Sequence, residues 1–335
     1  MPLPLIPILI AGGTALFGVV TGALGLNDMS KAKKITKEAN DLIKKSKRQL
    51  NYSRTACNTA LSNLGKEKIT VLDNSIKRFV ASFEKLTNYE FATSNGLDEL
   101  SKFVIDKNDF KKLKDEASYA SSIAGGLLGG SLGGALTAYG AYSAVGYLGA
   151  TTLTGGTAIS SLSGVAAHNA TLAWLGGGAL SAGGTGMAGG ALVLGGLALG
   201  PALAVAGVFI VAKGSKALDE AKANMATAEK AAAELNTAKD LCNGIAERSR
   251  VFTKLLSKLD NIFKPLVTEL EQIIEKSGTD YSKFCLQDKH AVAKAYAIAG
   301  AIKSVLDTPI LSKDGKLTNE STAKVTEINT FISKL

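Results

Sequence analysis

The fold is decided by residues 218–276, LDEAKANMATAEKAAAELNTAKDLCNGIAERSRVFTKLLSKLDNIFKPLVTELEQIIEK, in which apolar and small residues recur in steps of three and four. This rhythm places them on a single stripe of an amphipathic α-helix. At a rise of about 1.5 Å per residue, one helix of this length forms a rod of about 90 Å. Pro265 predicts a kink in the rod, and Ser277-Gly278 predicts its end.

The same rhythm predicts five further amphipathic helices. Gly65 predicts a stop between the first two of them, and no stretch shows the sustained alternation that is typical of a β-strand. Because the stripes are nearly heptad and the predicted connections are short, we expect the helices to pack side by side within one chain. The sequence therefore predicts an all-α, elongated bundle of amphipathic helices. The predicted ranges are Lys31–Leu64, Lys68–Leu86, Asp98–Asp115, Gln287–Leu306 and Glu320–Lys334.

Charged side chains divide the chain into four segments. Residues 28–116 carry 19 basic and 13 acidic side chains, residues 213–335 carry 19 and 16, and residues 1–27 and 117–212 carry none, which accounts for the net charge of +9. A soluble surface needs charged groups, so 96 consecutive residues without one favour a membrane environment. In chain order we expect an apolar N-terminal anchor or arm, basic amphipathic helices, an uncharged membrane-insertion tract, and a long amphipathic helix followed by C-terminal helices.

The uncharged tract, residues 117–212, holds 24 of the 36 glycines. Glycines spaced by four lie on one face of a helix and let a second backbone approach closely, as in a glycine zipper. Ala120–Tyr147 and Gly189–Ala212 are each long enough to cross a hydrocarbon core of about 30 Å. We therefore expect two to four helical segments, paired as hairpins into a membrane domain. The glycines expected to mediate helix packing and oligomerisation are Gly125, Gly126, Gly129, Gly130, Gly133, Gly134, Gly196 and Gly200.

A basic cluster follows the N-terminal apolar segment. Residues 29–54 carry nine basic side chains against two acidic ones. Such a cluster beside an apolar segment follows the positive-inside rule and attracts anionic lipid. We expect a bacterial inner-membrane location with the charged helices in the cytoplasm, and a soluble form that converts to a membrane form is compatible with this. An apolar arm docked on the bundle is the alternative. The residues expected to contact anionic lipid are Lys31, Lys33, Lys34, Lys37, Lys44, Lys45, Lys47 and Arg48.

Groups that could perform catalysis are sparse. The two histidines lie 122 positions apart, and three scattered cysteines exclude a disulfide scaffold and a cysteine zinc site, so the cysteines are expected to be small buried residues. Adjacent carboxylates such as Asp115-Glu116 diverge on a helix and are expected on solvated faces. Residues 184–189 match G-x-G-x-x-G, but no strand precedes them and no acidic residue follows at the required distance. We expect no enzyme, cofactor, metal or nucleic-acid partner, and we place His168 and Asn169 at the tip of a hairpin.

The order of amphipathic helix, glycine-rich apolar hairpins and long amphipathic helix resembles the α-helical pore-forming proteins of the haemolysin E (ClyA) type. It is more loosely similar to the colicins and apolipoprotein L. The likeness rests on Gly125–Gly134, Gly189–Ala212 and the flanking helices, and it concerns layout rather than a motif. Met1–Ile8 and Thr157–Gly178 also resemble segments of uncharacterised bacterial glycine-rich membrane proteins. The resemblance implies membrane insertion by helices.

Three hypotheses of function follow. The first is a toxin-like, pore-forming protein that inserts into a lipid bilayer, oligomerises with copies of itself through the glycine ridges, and perforates or remodels the bilayer. The second is a membrane-anchored helical scaffold or adaptor that recruits cytoplasmic protein partners, which the sequence does not identify. The third is a soluble helical bundle with an apolar core, which predicts a monomer that needs no detergent.

Overall fold

The computed structural model describes residues 26–89, 101–127, 217–311 and 317–335. Helix accounts for 88% of these residues and none of them lies in a β-strand, which confirms the all-α class. Most of residues 1–27 and 117–212, where the membrane domain is predicted, lie outside the described ranges. No helix within those ranges has both the length and the apolar composition needed to cross a membrane. The helices are α1 (Leu26–Val71), a π-helical turn (Leu72–Ile76), α2 (Lys77–Phe83), α3 (Lys107–Leu127), α4 (Ala217–Ser277), α5 (Leu286–Asp307) and α6 (Asn319–Ile332).

The break predicted at Gly65 is wrong. Helix α1 runs through Gly65 to Val71 and continues through the π-helical turn into α2, so the first two predicted helices are one long element. Gly65 is buried, and packing of this turn outweighs the cost of about 1 kcal/mol for an interior glycine. A glycine that ends a helix adopts the left-handed conformation. Gly278 does so with φ +78°, directly after α4 ends.

The predicted helix boundaries agree with the structure for α4 but not for α3. Helix α4 begins and ends within one residue of the predicted 218–276, and it continues through Pro265. Helix α3 begins nine residues later than the predicted Asp98, after a separate 3-10 turn at Ser101–Phe103. It ends at Leu127, twelve residues beyond the predicted Asp115, so the first residues of the predicted membrane-insertion tract belong to a helix of the bundle. The carboxylate of Asp106 accepts a hydrogen bond from the backbone N–H of Asp109 at 2.7 Å, which caps α3 at this point. Asp106 rather than Asp98 therefore starts this helix.

Helix α1 and its continuation run parallel to α4. Ser257 Oγ donates a hydrogen bond to Glu67 Oε1 at 2.5 Å. Further along, the Arg78 guanidinium contacts the Glu271 carboxylate at 2.6 Å. Because the residue numbers of both partners rise together, the two helices point in the same direction and their N-termini lie at the same end.

Helix α3 runs antiparallel to this pair. Lys114 Nζ pairs with Glu84 Oε1 at 2.6 Å, and Ser121 Oγ donates to Asp73 Oδ1 at 2.5 Å. Asp73 lies in the π-helical turn, and the hydrogen bond from Ser121 is the main reason that its pKa falls below the ordinary value. The two contacts hold α3 against the junction of α1 and α2, with the C-terminus of α3 directed toward the N-terminal end of α1.

An aromatic cluster lies in the core beside the C-terminal part of α4. The ring centroid of Phe79, in α2, lies 5.3 Å from those of Phe83 and Phe263. It lies 6.2 Å from the ring of Tyr296 in α5 and 6.3 Å from that of Phe110 in α3. Four helices therefore meet at one point, and edge-on and tilted ring pairs of this kind add to the stabilisation from buried apolar area.

Gly300→Ala should destabilise the bundle by about 1–3 kcal/mol, the usual cost of overpacking a core. A Cβ atom at Gly300 would lie 1.7 Å from the backbone oxygen of Phe103, so the backbone itself would have to move. Gly244→Ala is the matched control, because its Cβ would meet only the tip of the Leu317 side chain at 3.2 Å. We expect Gly244→Ala to leave the free energy of unfolding unchanged or to raise it, as measured by denaturant titration. Equal effects of the two variants would contradict this packing.

Candidate functional site

The basic side chains predicted to contact lipid form one exposed face of α1. Seven of the eight are exposed to solvent and the eighth, Lys47, is partly buried. The opposite stripe of α1 carries small residues at seven-residue intervals, Ala32, Ala39, Ser46 and Ser53, and all four are buried. The basic face of α1 is therefore a consequence of the heptad pattern, which buries the small residues and leaves the lysines outside.

Small residues line the matching part of α4 as well. Ala221, Ala228 and Ala232 are buried in its N-terminal half, and the contact between α1 and α4 is the most extensive between any two described helices. Alanine and serine let the two helices approach closely. The N-terminal parts of α1 and α4 thus form a narrow parallel pair with one strongly basic side.

The chain joins its uncharged segments to this pair in a consistent direction. Helix α1 begins at Leu26, directly after the apolar N-terminal segment, and α4 begins at Ala217, soon after the uncharged tract. Because α1 and α4 are parallel, both junctions lie at the same end. Helix α3 is antiparallel to them, so its last residue, Leu127, points toward that end too. The junctions at Leu26 and Ala217 therefore lie at the end that carries the basic face, and the junction at Leu127 is directed toward that end from level with Glu67 and Ser257.

A second feature is a buried cluster of charges where α1, α3 and α5 meet. Lys68 and Glu116 are fully buried and Lys303 is 3% exposed. Lys303 Nζ lies 2.6 Å from Asp307 Oδ2 and 3.6 Å from Glu116 Oε1, the second being an ion pair too long for a hydrogen bond. Lys68 Nζ donates to the backbone oxygen of Leu306 at 3.3 Å. The expectation that the Asp115-Glu116 carboxylates lie on a solvated face is thus wrong for Glu116.

Burial dominates the electrostatics of this cluster. Burial, reinforced by the negative charge of Asp307, raises the pKa of Glu116 to about 7, against the opposing effect of Lys303 and Lys68. Burial also lowers the pKa of Lys68 to about 8, although Asp307 and Glu116 act in the opposite direction. Neither carboxylate oxygen of Glu116 has a hydrogen-bond partner among the described residues. The charged form of Glu116 is therefore unfavourable in the folded bundle.

Glu116 is also the last charged residue before the uncharged tract. Glu116 is buried against α1 and α5 at the point where the chain enters that tract. Sequence reasoning missed the cluster because Lys68, Glu116, Lys303 and Asp307 come from three helices, and their proximity depends on how those helices pack. The one available signal was the position of Glu116 at the border of the uncharged sequence.

The structure places the other predicted site residues as follows. Gly125 and Gly126 lie in the last turn of α3. The remaining glycines of the predicted ridges, together with His168 and Asn169, lie outside the described residues. Among the cysteines, Cys57 and Cys242 are buried as expected, whereas Cys285 is exposed. Cys285 is the N-cap of α5, where its Sγ accepts a hydrogen bond from the backbone N–H of Asp288 at 3.4 Å.

A groove of about 520 Å³ runs between α1 and α4 beyond the basic face. Ala56, Thr59 and Ala60 line it from α1, and Arg250 and Lys254 line it from α4. The groove therefore combines small, weakly polar side chains with two cationic groups.

Comparison of the chain with protein-family models, with curated proteins and with solved structures found no match. Among the described residues, no group of three or more His, Cys, Asp or Glu side chains could hold a metal ion. The function is therefore inferred from the basic face, from the three junctions, and from the uncharged sequence that adjoins those junctions.

Proposed function

We propose that the protein inserts its uncharged segments into a lipid bilayer, associates with further copies through the glycine ridges, and perforates or remodels the bilayer. The observation that carries the proposal is the common direction of the three junctions, at Leu26, Leu127 and Ala217. A bundle in which α1 and α4 begin at one end, and in which α3 points toward that end, is suited to approach a membrane with that end first.

The basic face supports the same orientation. It occupies residues 31–48 of α1, close to the end at which α1 and α4 begin. Each basic residue near an anionic surface contributes about 1 kcal/mol to binding. The charges therefore attract the bundle to anionic lipid, and the adjacent uncharged sequence supplies the apolar surface that can enter it.

The glycine ridges supply the proposed contact between copies. Gly129→Leu and Gly130→Leu should block oligomer formation, because a branched side chain on a glycine ridge prevents close approach of two helices. Gly177→Leu, at a glycine outside the predicted ridges and outside both candidate spans, is the matched control and should leave the oligomers intact. Chemical crosslinking in anionic liposomes measures assembly, and circular dichroism checks that the helices of the bundle are retained. Unchanged oligomers in the ridge variants would count against the proposal.

Dye release from anionic liposomes, combined with flotation of the same sample on a density gradient, tests the proposed function. Purified full-length protein at near-neutral pH and low salt should float with the vesicles and release the dye. Flotation without release would favour the anchored scaffold over a perforating protein. A protein that neither floats nor releases dye would show that the uncharged tract is the core of a soluble bundle, and the proposal would fail.

A further inference from the structure

The groove between α1 and α4 has the form of an elongated binding site. Its volume of about 520 Å³ lies within the range of small-molecule sites, about 300–1,000 Å³. Tyr52 lines it from α1 and Lys254 lines it from α4. The hydrogen bond between Ser257 and Glu67 places Lys254 level with Leu64, twelve residues beyond Tyr52 on α1. At about 1.5 Å per residue, the groove therefore extends over about 18 Å along the helices.

The wall of the groove is mainly apolar. Ala56 and Ala60 line it, and so do Thr55, Thr59 and Thr253. The hydroxyl group of each threonine donates a hydrogen bond, at 2.9–3.1 Å, to the backbone oxygen four residues earlier in its own helix. Because a hydroxyl group has one hydrogen to donate, the threonines offer the groove their methyl groups but no free donor. A ligand that depends on several hydrogen bonds therefore finds few partners here, whereas an alkyl chain finds apolar surface.

Positive charge is concentrated on the α4 side of the groove. Arg250 and Lys254 are both exposed, and their spacing of four residues places them on one side of the helix. Among the described residues, no acidic side chain lines the groove, and Lys254 forms no ion pair with any of them. Glu247 lies 3.6 Å from Arg250 in an exposed and therefore weak ion pair. The two cations are thus available to an anionic group of a ligand.

We propose that the groove binds an alkyl carboxylate, the anion of a fatty acid. The carboxylate lies between Arg250 and Lys254, and the alkyl chain lies along Ala56 and Ala60 toward Tyr52. Removal of the chain from water supplies the affinity, and the two cations select for the carboxylate, which is ionised at neutral pH. Tyr52, which is 79% exposed, adds an aromatic surface at the far end of the chain. The groove belongs to the bundle, so this binding does not depend on insertion into a bilayer.

A dodecanoate analogue with a photoactivatable diazirine on its alkyl chain is a suitable probe. It is used with the full-length protein, without lipid and below the concentration at which micelles form. After irradiation and digestion with trypsin, we expect the label on the peptide of residues 55–66, which contains Ala56 and Ala60. Excess dodecanoate should remove this label, whereas dodecanol, which lacks the charge, and acetate, which lacks the chain, should compete several-fold less well. Label confined to the uncharged segments, or equal competition by dodecanol, would overturn the proposal.

Two pairs of variants sharpen the test. Ala56→Leu fills the groove and should reduce the labelling of this peptide at least tenfold, whereas Ala233→Leu, at an exposed position of α4 outside the groove, should leave it unchanged. Lys254→Glu, at an exposed position that tolerates the change, should weaken competition by dodecanoate several-fold and leave competition by dodecanol unchanged.

Lys258→Glu is the control for charge, because Lys258 is exposed one turn further along α4 and does not line the groove. We expect it to change neither competition. Equal effects of Lys254→Glu and Lys258→Glu would show that net charge rather than the groove attracts the carboxylate, and the proposal would fail. No membrane takes part in this test, so its outcome is independent of the dye-release result.

Discussion

The Glu116→Gln variant is expected to be more stable than the wild-type protein by about 3 kcal/mol at about pH 8 and equal to it at about pH 4. The pKa of Glu116 is about 7 in the folded protein, against 4.5 for an ordinary glutamate. The folded state therefore holds the proton more tightly than the unfolded chain. Ionisation of Glu116 costs stability, and this cost develops as the pH rises from 4.5 to about 7 and is constant above that range.

Denaturant titrations between about pH 4 and about pH 8 measure the difference in the free energy of unfolding between Glu116→Gln and the wild-type protein. Glu275→Gln is the control, because Glu275 is exposed near the end of α4 and should give a small difference at every pH. The charged groups that face Glu116 are Lys68 from α1 and Lys303 and Asp307 from α5. If Glu116→Gln were less stable at high pH, the ion pairs with these lysines would outweigh the burial of the charge.

Reversal of three charges on the basic face should weaken binding to anionic liposomes by about a hundred-fold or more. Lys34, Lys37 and Lys45 are exposed on α1. At about 1 kcal/mol each, their loss removes about 3 kcal/mol of attraction, and every 1.4 kcal/mol is about a tenfold change in the dissociation constant. The measurement is co-sedimentation of the Lys34→Glu, Lys37→Glu, Lys45→Glu triple variant with vesicles at low salt, since salt screens the attraction.

The matched control reverses the same number of charges elsewhere on the bundle. Lys111, Lys258 and Lys276 are also exposed, and they lie on α3 and on the C-terminal half of α4, away from the basic face. Their triple reversal to glutamate changes the net charge equally but should weaken binding much less. If both triple variants lost affinity to the same extent, net charge rather than the basic face would determine binding.

Periodicity predicted the helices well wherever they depend on local pattern. The bounds of α4, α5 and α6 agree with prediction to within two residues, because heptad stripes and helix-ending signals such as Ser277-Gly278 are local features. The break at Gly65 and the start at Asp98 were wrong because tertiary packing decided both. A buried glycine stays in a helix when its neighbours pack well, and the choice between two caps depends on the rest of the bundle.

The candidate sites also divide into features that local pattern determines and features that the packing of distant helices determines. The exposed lysines of α1 could be predicted because a heptad pattern assigns each residue to a face. The burial of Glu116 beside Lys303 could not be predicted because it requires the direction and register of helices far apart in sequence. Nothing in the stripes of α1 and α4 distinguishes a parallel pair from an antiparallel one.

The parallel direction of α1 and α4 determines the distance that the chain between the end of α3 and the start of α4 must cover. Ser121 lies level with Asp73, so the end of α3 at Leu127 lies level with Glu67 and its partner Ser257. Ala217 is forty residues before Ser257 on α4, or about 60 Å further along the axis. An extended tether of about 18 residues covers that distance. About 70 of the 89 intervening residues then remain, enough for a hairpin of two bilayer crossings of about 20 residues each, which returns the chain to the same side while both ends stay docked in the bundle.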